Sequence, residues 1–227
     1  MKLATTAAAV MMAAILLLPG CGRVSEKPTE QPTEAASVPV VSSPEPERKT
    51  DDYKKNSIHA VMKFTNGEEI ELELYPEAAP MTVDNFVNLA KSGFYNGTII
   101  HRVVKDFVIQ GGGYDAEYNR RTGASEIKGE FISNGFKNSI KHERGVISMA
   151  RIGTDPDSAS SQFFIMQKAA PHLDGDYAAF GEVTKGMNVV DKIAGSKRAK
   201  NPPAGLSDLP EDLYVIESVT VTGAAAQ

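Results

Sequence analysis

The chain has 227 residues and a formal net charge of −5 at pH 7, with no block of Lys and Arg of the kind that tracks phosphates. That balance argues against general nucleic-acid binding. Its length admits one ordinary domain with appendages, and its single cysteine, Cys21, leaves core burial rather than disulfides to hold the fold together.

Met1 to Gly20 has the layout of a signal peptide. Lys2 gives a short positive start, and Ala7 to Leu18 is an apolar run too short for a comfortable membrane span. Leu18-Pro19-Gly20-Cys21 resembles a bacterial lipobox, with a small residue directly before the cysteine. Lipidation would explain an odd cysteine in an exported chain. Residues 21–56 are rich in Pro, Glu, Ser and Thr, without apolar periodicity. Such a segment cannot offset its chain entropy by burial, so it reads as a disordered tether with a span of roughly 30 Å. A folded domain is expected over 57–227.

The domain opens with a hairpin. Ile58 to Phe64 and Glu68 to Leu74 flank Asn66-Gly67, a strong type I′ turn signal. Ile70, Leu72 and Leu74 alternate with Glu69, Glu71 and Glu73, which gives one buried and one wet face. A helix is predicted over Met81 to Ser92, with Gly93 near its C-terminal end. Two strands follow, Ile99 to Val104 and Phe107 to Gln110, with a tight turn at Lys105-Asp106; Gly111, Gly112 and Gly113 are expected to end the second. Tyr114 to Glu143 is a long polar connection. Further strands are predicted at Val146 to Ala150, Gln162 to Met166, Ala178 to Val183 and Tyr214 to Thr222, and a second helix over Lys185 to Ala194 with Gly195 as its stop. Many short strands with two helices suggest a sheet that closes on itself.

The chemistry is spare. None of His59, His101, His142 and His172 lies at metal-ligand spacing from another, so no metal site is indicated. Ser160 and Ser161 lack a nucleophile elbow, and Gly111-Gly112-Gly113 lacks the spacing of a dinucleotide fingerprint. No cofactor is implied. Arg102 stands inside an apolar run, sharing a strand face with Val104 while His101 and Val103 take the other. Taken alone, it reads more simply as an edge-strand arginine snorkelling to solvent.

Three ordered strings change that weighting. They are His101-Arg-Val-Val-Lys-Asp-Phe-Val-Ile-Gln-Gly-Gly112; Gly145-Val-Ile-Ser-Met-Ala150 with Ser161-Gln-Phe-Phe-Ile165; and His172-Leu-Asp-Gly175 with Ala179-Phe-Gly-Glu-Val183. In this order and spacing they resemble the cyclophilin-type peptidyl-prolyl cis-trans isomerases, over roughly Ile58 to Gly223. The resemblance implies a mainly β fold, a closed antiparallel eight-stranded β-barrel capped by two α-helices. It implies Arg102 as the donor to the prolyl nitrogen, and Phe107, Val108, Phe164 and Leu173 as the lining of the proline slot. Gln110 and Gln162 would hold substrate carbonyls or orient Arg102, and the backbone at Ala150 and Arg151 would pair with the peptide. Phe163 is left as core packing. The chain departs from the family at three positions of this surface. Val108 stands where many members have methionine, Tyr177 where many have histidine, and His172 where many animal members have the tryptophan that contacts cyclosporin. The resulting expectation is a monomeric isomerase that acts on proline-containing polypeptides outside the cytoplasm, lipid-anchored through Cys21 on the outer or periplasmic face of a membrane. A proline-peptide binding module or holdase on the same fold is the alternative.

Overall fold

The computed structural model describes residues 52–222. The expectations for Met1 to Gly20, for Cys21 and for most of the tether lie outside the described residues. Residues 52–56, counted with the tether, instead lie against the domain. Asp52–Lys54 form a 3-10 turn, the Tyr53 ring meets Tyr75 at 5.3 Å, Lys54 Nζ reaches Glu182 at 3.0 Å, and Asn56 Nδ2 donates to Glu77 at 3.1 Å.

The strands are β1 (Ile58–Phe64), β2 (Glu69–Leu74), β3 (Thr98–Val104), β4 (Val108–Asp115), β5 (Val146–Met149), β6 (Phe163–Met166), β7 (Ala179–Lys185) and β8 (Ile216–Thr222). Helix α1 spans Pro80–Lys91 and α2 spans Met187–Ala194. The strands form one antiparallel sheet in the order β3-β4-β6-β5-β7-β2-β1-β8. The sheet is mainly β and curled, but its ladder is open rather than that of the closed barrel expected. The end strands β3 and β8 share no regular ladder and meet only near the isolated bridge Ile99–Val215, where Gly97 N donates to Ile216 O (2.8 Å) and Ile100 N to Tyr214 O (3.0 Å). On its other side, toward β4, β3 carries register shifts between Thr98 and Ile100 and between Ile100 and Arg102, and such bulges bend and twist a strand.

Alternation sorts the side chains into two apolar bodies. Ile100, Val103, Ile109, Ile147, Phe163 and Ile165 join the large core that α1 and α2 cover. Val108, Val146, Phe164 and Met166, on the opposite face of the same strands, form a second cluster with Tyr75 and Leu173. Phe163 and Phe164 are thus adjacent in sequence and belong to different surfaces, as the period of two requires.

Some expected boundaries differ: β7 runs on to Lys185, the residue expected to start the second helix, and β8 begins at Ile216 rather than Tyr214. The glycines after Gln110 do not end the second strand, because β4 runs through them to Asp115. They serve close approach instead. Gly112 takes φ 82°, and a Cβ there would lie 2.7 Å from the Ser161 carbonyl oxygen, a backbone approach that only glycine fits.

The long connection before β5 is not idle. Its Glu130 is buried and caps α1 from 48 residues away, accepting from Thr82 N (2.8 Å), Thr82 Oγ1 (2.7 Å) and Met81 N (3.0 Å). The residue before the helix, Ala79, offers no side-chain cap, so this distant carboxylate satisfies the N-terminal amides and meets the positive end of the helix dipole.

Candidate active site

Register builds the site. Arg102 on β3 pairs with Gln110 on β4, Gln110 with Phe164 on β6, and Phe164 with Ser148 on β5. Directly paired residues share a face, so these four form one row across four strands. The turn between β3 and β4 holds Asp106 at φ 60°, its amide donating 2.6 Å to Gln167 Oε1, and brings Phe107 to the head of the row. Arg102, Phe107, Val108, Gln110, Ala150, Arg151, Phe164, Leu173 and Tyr177 line one open cleft of about 120 Å³.

Of the other expected site residues, Gln162 stands behind Gln110 and lines the two neighbouring hollows. His172 lies at the rim, exposed, with its ring stacked on Phe107 at 5.8 Å.

The donor side of the cleft is polar. Arg102 Nη1 donates to Gln110 Oε1 (3.3 Å), and Gln110 Nε2 donates to Gln162 Oε1 (3.0 Å). Arg102 Nε donates to Asp208 Oδ2 (3.3 Å), which leaves Nη2 uncommitted among the described residues. His101, on the reverse face of β3, is buried and lines the hollow behind Arg102. Burial pushes its imidazole down to about 4, and its Nδ1 lies sealed without a hydrogen-bond partner among the described residues.

The wall side is apolar in front and polar behind. Phe164 stands edge-on to Tyr177 at 5.6 Å and stacks on His142 at 5.9 Å. Arg151 places its guanidinium 4.8 Å from the Tyr177 ring centre and 5.2 Å from that of Phe131, and donates from Nε to Asp176 O at 2.9 Å. Behind Phe164 lie His142, Ser148 and Asp174. His142 Nδ1 sits 3.2 Å from Asp174 Oδ1, and Nε2 lies 3.2 Å from Ser148 Oγ. Because an ionised carboxylate only accepts, Nδ1 donates to Asp174 and the neutral ring accepts from Ser148. Burial, opposed in part by Asp174, keeps the His142 imidazole below its ordinary value. Burial would raise the Asp174 carboxyl, but the His142 amide and ring, with Lys141 nearby, hold it below the usual range.

These are the residue types of a hydrolase triad, which the sequence reading sought at Ser160 and Ser161. Ser148 is, however, fully buried beside Phe164, and no substrate carbonyl can reach it. The arrangement is a bracket rather than a nucleophile. Sequence reasoning missed Asp208, Glu130 and this bracket; the last had a faint signal in the polar residues His142 and Asp174 beside two of the matched strings.

Over residues 60–221 the chain matches the family model described as "Cyclophilin type peptidyl-prolyl cis-trans isomerase/CLD". It is 48% identical over 135 residues to a peptidyl-prolyl cis-trans isomerase of Acinetobacter baylyi, covering 57% of this chain and 69% of that protein. It is 40% identical over 167 residues to peptidyl-prolyl cis-trans isomerase B of Escherichia coli, covering 70% of this chain and 96% of that protein. Among solved structures, it resembles a Cryptosporidium parvum cyclophilin-type isomerase with a TM-score of 0.60 and 26% identity, over 74% of this chain and 99% of that one. A second structure of that isomerase, obtained in the presence of the dipeptide Ala-Pro, matches with a TM-score of 0.59 and 26% identity, over 73% of this chain and 99% of that one.

Proposed function

The chain belongs to the cyclophilin-type peptidyl-prolyl cis-trans isomerase family and has that activity, and from this premise we propose how its cleft performs it. Rotation about an X-Pro bond is slow because amide resonance must be lost, with a barrier of about 18–20 kcal/mol. In the twisted state the prolyl nitrogen regains its lone pair. A cation donating to that pair stabilises the twisted state and contributes little to the planar ground state, so the binding is differential. Arg102 is this donor. It is always charged and geometrically rigid, and the observation that carries the assignment is its hydrogen bonding. Nε and Nη1 are committed to Asp208 and Gln110 while Nη2 is not, at the edge of an apolar cleft.

Phe107, Val108, Phe164 and Leu173 take the proline ring, with Tyr177 and His172 at the rim. Gln110 and Gln162 hold the arginine. The Ala150 amide already donates to Gln162 O at 2.8 Å, so the peptide pairs with the Ala150 carbonyl and the Arg151 backbone. The alternative of a binding module gains no support from a donor held this way.

The test is a protease-coupled prolyl-peptide assay on the domain. Arg102→Ala should cut turnover by roughly 10²-fold, the size typical of losing one transition-state donor, with circular dichroism unchanged. Turnover equal to wild type in a folded variant would remove Arg102 from the chemistry.

We also infer an exported, lipid-anchored protein that assists folding beyond the cytoplasm. The support is the apolar run before Leu18-Pro-Gly-Cys21, and two or more acyl chains give a stable anchor where one does not. Labelled palmitate should enter the wild type and not Cys21→Ser; equal labelling of both would refute the anchor. The bridge at Ile99–Val215 supports a barrel completed between β8 and β3.

A further inference from the structure

The segment between α2 and β8, residues 195–215, is longer than a simple connection needs, and it is ordered by its own contacts. Ala199 N donates to Leu209 O (2.8 Å), Glu211 N to Lys197 O (2.7 Å) and Leu209 N to Leu206 O (3.0 Å). Leu206 and Leu209 are buried against Ile99 of β3 in a small apolar cluster of their own. The segment is thereby fastened to the strand that carries Arg102. At its point of contact the Asp208 carbonyl accepts from Val103 N at 2.8 Å, one residue from Arg102, while the Asp208 carboxylate accepts from Arg102 Nε.

We propose that Asp208 is a positioning residue for catalysis, acting through Arg102, whose donor it holds at the cleft. This rests on the reading of Arg102 as the donor. A guanidinium at the end of a long side chain samples many rotamers, and holding it still is what a fixed acceptor supplies. Gln110 alone fixes one nitrogen and leaves the fork free to turn about that contact. Asp208 adds a second point, and these two with the covalent attachment at Cδ define the plane of the guanidinium and hence the direction of Nη2.

An acid beside a catalytic cation has a cost, because it offsets the charge that does the work. The arrangement limits that cost. Asp208 Oδ1 also pairs with Arg198 Nη1 at 3.2 Å, so one carboxylate is shared by two guanidinium groups and the cluster keeps a net positive charge. Both partners are part-exposed, so the pair adds little to stability; its value lies in geometry.

The test combines kinetics with a spectroscopic readout on the isomerase domain. In wild type, the Arg102 Nε–H should appear in a nitrogen-15 spectrum as a resolved, slowly exchanging signal, unlike those of exposed arginines. Free exchange of that proton would overturn the clamp without any variant. Asp208→Ala should lose the signal and lower kcat by about tenfold with little change in KM. Asp208→Asn keeps an acceptor oxygen and should recover most of the rate, which a purely structural role in the segment would not require. In an Arg102→Ala background, Asp208→Ala should have no further effect. Equal losses in both backgrounds would overturn the proposal and leave Arg102 as the donor. If Arg102→Ala itself kept full turnover, the donor reading would fall and this one with it.

Discussion

The two sides of the cleft are each backed by a hydrogen-bond network, and the two networks are built on opposite terms. On the donor side, Arg102, Gln110, Gln162 and Asp208 are part-exposed and charged or amide. On the wall side, His142 and Ser148 are sealed and neutral, with only Asp174 reaching water. A part-exposed group that loses its partner can turn to water. A sealed one has no substitute and bears the whole desolvation penalty. The wall network should therefore be read out in stability and the donor network in rate.

The largest separation should come from Asp174→Ala. It removes the acceptor for both the ring and the amide of His142, and two orphaned buried donors cost about 3 kcal/mol, visible as a lower urea midpoint. A midpoint unchanged within error would show that the bracket does not carry the wall.

Acid should strike both sides through their buried histidines. The native values of His101 and His142 lie below the ordinary 6.5, because burial disfavours the charged ring. Between pH 6.5 and about 4 the unfolded chain takes up protons that native His101 refuses, so stability is full above pH 6.5 and falls as pH drops through that window. At ~1.4 kcal/mol per unit, His101 alone accounts for a loss on the order of 3 kcal/mol. Asp174, also held low, adds its loss only below its ordinary value of 3.8. Urea titrations across pH 4 to 7 should show the slope, and His101→Asn should flatten it. The same slope in that variant would place the proton uptake elsewhere.

The smallest effect should mark the donor side. Gln110→Ala cuts the link between Arg102 and Gln162 and should lower kcat/KM by about tenfold while shifting the urea midpoint by less than about 0.5 kcal/mol equivalent. A stability loss matching that of Asp174→Ala would erase the distinction between the two networks.

The sequence made the front of the site legible and hid its supports. Asn66-Gly67 marked the first hairpin, but not as the type I′ turn expected: only Gly67 takes a positive φ, 84°, and with Gly67 N donating to Phe64 O and Phe64 N to Glu68 O the loop is a type I turn closed by a left-handed glycine. Gly93 likewise takes φ 72° after α1, whereas Gly195 ends α2 at φ −84°, a conformation any residue adopts. Arg102 and Phe164 stood out because the matched strings fall on strands, where period two assigns faces. Asp208 lies 106 residues from Arg102 in a stretch without periodicity, and Glu130 caps its helix from a polar connection. Local pattern carries no information about a carboxylate that arrives from so far along the chain. The open ladder was also illegible, since whether two end strands pair depends on how far the sheet curls and not on the pattern within either strand.

The pairing of β1 with β8 has a consequence in time. Thr220 on the last strand hydrogen-bonds Val61 on the first, 159 residues earlier. A chain made from its N-terminus at roughly 5–20 residues per second leaves one edge of β1 bare for on the order of ten seconds before its partner exists. During that interval the edge is a template for any other extended chain. The sheet is thus completed only when its last strand has been made, and until then the domain carries an exposed edge of its own.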